Sequence, residues 1–230
     1  MNEGMKLSDY DDPLVQAKAG ELINPAASRE ENLRSIFMYL RDEIRFGFPP
    51  EWDNVRASET IRLGIGYCNT KATLFNALCK VAGIPSRIHT GLIDVKILRG
   101  IFPAYVFSIM PGAGGHSWTE VEVNGEWKPV DSYINDLPFY NTALKLLQST
   151  GRKTGYSLSL EKGPVSSEFN FGEKGFVHMG AVVADHGVWD DFSDYMASDK
   201  YLTLKGVRLM VFKSLMRTGN RNIMRIRAMK

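Results

Sequence analysis

The stretch HSWTEVEVNGEWKPVD, His116 to Asp131, constrains this chain more than any other. Two segments of alternating apolar and polar residues flank Asn124-Gly125, a favoured pair for a two-residue type I′ turn. Such a turn makes the segments antiparallel and sets Val123 opposite Glu126, so that Trp118 comes opposite Asp131. Side chains alternate along a strand, which puts His116 on the face of Trp118 and makes it a diagonal neighbour of Asp131, about 7 Å away. Strand pairing alone therefore brings a carboxylate beside an imidazole.

Upstream, GIGYCNTKATLFNALCKVAGIPSRI (Gly64 to Ile88) reads as a tight turn, a helix from Cys68 to Ala82, and a stop at Gly83 and Pro85. The following SRIHTGLIDV has the pattern of a strand. On the helix, Asn69, Thr73, Asn76 and Lys80 form a polar stripe opposite Cys68, Ala72, Phe75, Cys79 and Ala82. Cys68 therefore points inward from the first helical turn. Exposed N–H groups and the positive dipole end favour a thiolate there, with Lys71 adding to the effect. Gly64 and Gly66 allow the turn that leaves the Cys68 N–H facing a developing oxyanion. Cys79, on the buried stripe, is expected to be structural. The chain holds only these two cysteines, and three helical turns between them put both beyond disulfide reach.

Elsewhere, Asn24-Pro25 closes a first short helix, and Ser28 with Glu31 forms a capping box before the apolar series Leu33, Ile36, Phe37, Leu40 and Ile44. GFPPEWDN breaks that second helix. Beyond about Tyr133 the signals are a helix near Ala143–Gln148, a Gly/Ser-rich stretch near Gly151–Gly175 and a basic helical tail from about Tyr201. The expected organisation is a core over residues 1–135 and a C-terminal elaboration over residues 136–230 that packs on it. A formal charge of +2 gives no ground for nucleic-acid binding. The acidic N-terminus lacks a leader pattern and no segment has membrane-spanning length, so a cytoplasmic protein is expected.

The Cys68 block, HSWTEVEV and WKPVD together resemble the core of the transglutaminase-like superfamily, in that family's order of Cys, His and Asp, over roughly Ser28 to Asp131. The resemblance implies an α+β, papain-like fold in which a catalytic helix packs on a small antiparallel sheet. It implies Cys68 as nucleophile, His116 as general base and then acid, and Asp131 as the group that orients and stabilises the imidazolium. Asn69-Thr70-Lys71 departs from the family's usual run after the cysteine, which bears on substrate. Trp52 is the upstream candidate for a further oxyanion donor.

The activity expected is cleavage of amide or peptide bonds through a thioester, with a protein, peptide or small amide as substrate. Water is expected to resolve the thioester, because Asn69, Thr70, Lys71 and the EWDN loop read as a polar rim; transfer to an amine, as in a transglutaminase, is the alternative. A catalytically silent binding module is the alternative from another class. No cofactor and no metal are expected. His178 and His186, with Asp185, Asp190 and Asp191, match no metal-ligand spacing and read as solvated loop side chains. His89 reads as a satisfied polar residue, and Trp118, Trp127 and Glu120 as groups that pack beside or support the site without taking part in the chemistry. The basic tail is expected to pack on its own domain; a membrane surface is a partner it would suit less well. Oligomeric state is not legible.

Overall fold

The computed structural model describes residues 6–108, 110–202 and 206–229. Two helices open the chain: α1 (Pro13–Leu22), capped by the Asp12 side chain on the Leu14 N–H, and α2 (Arg29–Asp42), whose Ser28/Glu31 capping box forms as expected. After the two-residue strand β1 (Arg45–Phe46) comes α3 (Ala57–Leu63), which ends on Gly64 in the left-handed conformation at φ 61°. That glycine turns the chain into β2 (Ile65–Gly66), which pairs in parallel with β1. A side chain at Gly66 would collide with Thr70 Oγ1, 2.8 Å from where its Cβ would sit. The turn therefore leads directly into α4 (Cys68–Val81).

Strand β3 (Ser86–Asp94), β4 (Ala113–Val123) and β5 (Glu126–Val130) follow. Pairing of β4 with β5 runs from Val123↔Glu126 to Thr119↔Val130, the register the Asn124-Gly125 turn dictates. The next helix, α5 (Leu137–Ser149), is capped by Asp136. A small ribbon of β6 (Thr154–Gly155) and β7 (Leu158–Ser159) lies in the Gly/Ser-rich stretch. The segment holding His186 and Asp185, read as loop, is the strand β8 (Val182–Trp189), which pairs antiparallel with β3. The resulting sheet runs β5-β4-β3-β8. Helices α6 (Phe192–Ala197) and α7 (Gly206–Ala228) complete the chain.

The α4 helix departs from the two-faced expectation. Every residue from Asn69 to Cys79 is buried, the polar ones included, because α1, α2 and α3 pack around it together with β3 and β4. Each polar side chain has its own partner: Thr73 donates to the Asn69 carbonyl, Asn76 to the Asp190 carbonyl, and Lys71 Nζ to the Leu40 and Tyr133 carbonyls at 2.7 and 3.0 Å. Thr70 and Lys71, expected on the rim of the site, are thus interior groups. Lys71 is fully buried, and burial pulls its pKa down to about 7.

The described part of the basic tail packs on the core. Met216, Ile223 and Ile226 of α7 are buried, and Asn220 bonds both backbone groups of Phe48. Arg227 forms a bidentate pair with Asp136, which also accepts from the Phe46 N–H. Burial works against the Asp136 carboxylate, yet Arg227 and Phe46 together leave its pKa below the ordinary range. Leu204 and Lys230, and the side chains of Val207 and Val211, lie outside the described residues, as do residues 1–5 of the N-terminus. No helix among the described residues is long and apolar enough to cross a membrane.

The buried lysine makes stability pH-dependent. Its folded-state pKa of about 7 lies below the roughly 10.4 of an unfolded lysine, so between those values the unfolded chain holds a proton that the folded chain lacks. Stability from this group therefore rises from about pH 7 to about pH 10, by up to about 1.4 kcal/mol per pH unit. Urea unfolding across that range should show this rise in the wild type and lose it in Lys71→Met; parallel pH curves would contradict it.

Candidate active site

Cys68 is the first residue of α4, and Tyr67 before it offers no side-chain cap, so the N–H groups of the first turn are not claimed from that side. Because β5 pairs with β4 only from Thr119 onward, the β4 edge at Ser117 is open to α4. The Ser117 backbone N–H there, in the peptide bond joined to His116, acts on the Cys68 sulfur to favour its charged form. Asn69 locks the junction: its Oδ1 accepts from the Ser117 hydroxyl at 2.9 Å and from the Cys68 thiol at 3.4 Å, while its Nδ2 donates to Asp53 at 2.7 Å.

Asp53 gathers the donors behind the cysteine. It accepts from Tyr67 and Asn69 on one oxygen and from Tyr201 on the other, and the Trp52 side chain also hydrogen-bonds it. The Trp52 indole, considered as an oxyanion donor, is thereby directed to a carboxylate. The ring itself stacks on Tyr67 at 4.6 Å and on Phe48 at 5.9 Å.

His116 lies on β4 and Asp131 immediately follows β5. Both are buried, at 1% and 0% exposure, with His116 Nε2 4.0 Å from Asp131 Oδ1. The hairpin register thus brings the pair together, at a separation longer than a hydrogen bond. A second imidazole stands there too: His178 Nδ1 is 3.8 Å from the same carboxylate oxygen, and the two rings lie 5.4 Å apart. His178 is only 4% exposed, which corrects its reading as a solvated loop residue. It comes from the loop before β8, and no local pattern could have placed it. The rest of the histidine and aspartate group disperses: His186 bonds Tyr195, Asp185 bonds His89, and Asp190 takes Lys80. His89 is held between Glu120 and Asp185 and stacks on Trp118, a satisfied polar residue as expected.

Cys68, Asn69, His116 and His178 line one cavity of about 660 Å³. Its other walls are largely apolar, with Phe48, Trp52, Ile93, Val95, Ile97, Leu98, Met110 and Leu215 among them. This enclosure works against the thiolate that the helix start favours. Burial pushes the Cys68 thiol well above its usual pKa; the Ser117 and Asn69 backbone N–H groups work the other way, and Asp53 and Asp131 add to the rise. Burial also brings His116 down to about 3, with Asp131 opposing and His178 assisting. Both shifts favour a neutral thiol beside a neutral imidazole. Cys79 is free and fully buried.

These environments predict the behaviour of the two thiols. Iodoacetamide should modify Cys68, at the cavity wall, much faster than Cys79, as peptide mass spectrometry would show. The Cys68 rate should climb about tenfold per pH unit from pH 7 to 9, because the reactive thiolate is still a minor species there. A plateau beginning below pH 7 would instead indicate a preformed thiolate–imidazolium pair.

The model of the transglutaminase-like superfamily matches residues 16–132. No curated protein matches the chain in sequence. Among solved structures, a candidate cysteine protease from Cytophaga hutchinsonii is similar at 15% identity and a TM-score of 0.49, over 83% of this chain and 46% of that one. A candidate protease from Parabacteroides distasonis is similar at 15% identity and a TM-score of 0.35, over 54% and 25%. The chain thus spans less than half the length of either. The matched segment takes in the helix that begins at Cys68 and the hairpin, and covers half of the sequence: the chain belongs to the transglutaminase-like superfamily.

Proposed function

We propose that the protein is a cysteine-dependent acyl-transfer enzyme that cleaves an amide or peptide bond, with Cys68, His116 and Asp131 as its triad. The observation that carries this reading is that Asn69 ties the Cys68 thiol to Ser117, the residue after His116, so that thiol and imidazole line one cavity with Asp131 buried beside the ring. The neutral Cys68 thiol passes its proton to His116 as sulfur attacks the carbonyl carbon, and the Cys68 N–H holds the oxyanion. Protonated His116 draws Asp131 toward it, which offsets the burial that keeps the resting ring neutral. As the tetrahedral intermediate collapses, His116 returns the proton to the leaving amine and a thioester remains. Water, deprotonated by His116, then releases the acid and restores the thiol.

One observation favours a second acceptor. The polar rim that argued for water is absent at Thr70 and Lys71, and the apolar cavity wall would desolvate an amine on its way to the thioester. Hydrolysis and amine transfer share every step up to the thioester, so the acceptor is decided there.

A panel of acyl p-nitroanilides should reveal turnover that Cys68→Ala abolishes, together with an acyl adduct on Cys68 by intact-mass analysis. Persistent turnover in that variant would place the chemistry elsewhere. Asp131→Asn should keep the fold and lower kcat at least about a hundredfold, or about 2.7 kcal/mol; less than threefold would remove Asp131 from the triad. Graded primary amines added to the trapped acyl-enzyme distinguish the acceptors: amide product exceeding acid at low millimolar amine identifies a transferase.

A further inference from the structure

Five buried polar side-chain atoms have no hydrogen-bond partner among the described residues: His116 Nε2, His178 Nδ1, both oxygens of Asp131 and Ser132 Oγ. The first four converge. One ligand atom from each of His116, Asp131 and His178 lies within 4.8 Å of the others. Leaving such groups buried and unpaired is costly, so the cluster asks what satisfies it.

The neighbours of His178 decide what its free nitrogen offers. Asn135 Nδ2 donates to the Ser157 carbonyl at 2.8 Å, which turns Asn135 Oδ1 toward the Ser157 hydroxyl; that hydroxyl donates to it at 3.1 Å. Ser157 has then used its only proton, so its contact of 2.8 Å with His178 Nε2 must be a bond donated by the imidazole. In the neutral ring, Nδ1 carries a bare lone pair aimed at a carboxylate. Two lone pairs facing each other at 3.8 Å repel unless a proton donor or a cation is shared between them. A shared proton would draw them to about 2.7–2.9 Å. Ligands of one tetrahedral cation, each about 2.0–2.2 Å from it, stand roughly 3.3–3.5 Å apart. The observed 3.8 and 4.0 Å are nearer the second spacing.

We propose that His116 Nε2, His178 Nδ1 and the Asp131 carboxylate form a binding site for a divalent first-row transition metal of the zinc class. Two imidazoles and one carboxylate suit such a cation. The Ser157–Asn135 pair supplies the outer hydrogen bond that fixes a ligating histidine, and the cavity that reaches both rings provides an entry path. Since His116 and Asp131 also serve the proposed triad, metal occupancy and thiol catalysis exclude each other. That exclusion rests on the triad reading; the binding itself does not.

The test uses Cys68→Ser, which removes the cavity thiol and all turnover, so failure of the hydrolase reading cannot affect it. After dialysis against EDTA, calorimetric titration with Zn2+ should show one cation per chain, and Co2+ should give the visible absorption of a tetrahedral site. The Zn K-edge spectrum should show nitrogen and oxygen near about 2.0–2.1 Å and no sulfur near about 2.3 Å. In His178→Gln, with its fold checked by circular dichroism, affinity should fall at least about a hundredfold. No stoichiometric binding, a sulfur shell, or undiminished affinity in folded His178→Gln would overturn the site. Should His178→Gln fail to fold, the K-edge spectrum of Cys68→Ser decides alone.

Discussion

The Asn69 side chain is the joint on which this site depends. One amide accepts from the Ser117 hydroxyl and the Cys68 thiol and donates to Asp53, tying β4, the start of α4 and the loop after β1 to a single group. All are buried or nearly so, where a hydrogen bond is electrostatically stronger than in water and its loss leaves an unpaired group. The position of Cys68 relative to His116 follows from this joint, since Ser117 both bonds Asn69 and adjoins His116. Asp53 secures the far end through Tyr67, Asn69 and Tyr201.

Enclosure sets the chemistry of the site. A helix buried on all sides holds the cysteine at its N-terminus, and the same burial that gives α4 its rigidity disfavours both charged partners of a thiolate–imidazolium pair. In the reaction we propose, proton transfer belongs to the attack step, and the Asp131 carboxylate stabilises the charge that forms on His116. The cavity next to it is walled largely by apolar side chains, so in the proposed reaction the acyl acceptor meets that wall and not the interior Thr70 and Lys71.

Much of the framework could be read from local pattern. The Asn124-Gly125 turn set the register that brings His116 near Asp131, the Ser28–Glu31 box started α2, and Gly83 and Pro85 ended the cysteine helix, because turns, caps and breakers act over a few residues. Misreadings arose where a residue's surroundings come from distant segments. Thr70 and Lys71 look like rim groups on an isolated helix, yet α2 and the chain after β5 close over Lys71 through the Leu40 and Tyr133 carbonyls. Strand β8 alternates too weakly to be seen alone; pairing with β3 makes it a strand.

The sequence by itself determined the superfamily, the helix that begins at Cys68 and the hairpin that pairs His116 with Asp131, since these depend on contacts between residues near one another along the chain. Only the tertiary structure decided that His178 joins that pair, that Trp52 turns to Asp53, and that burial works against charge on both thiol and imidazole. Those outcomes depend on burial and on side chains that meet across long sequence separations, such as Asp131 with His178 and Asp53 with Tyr201. Periodicity carries no information about such meetings, because the energy that selects them exists only once the core has closed.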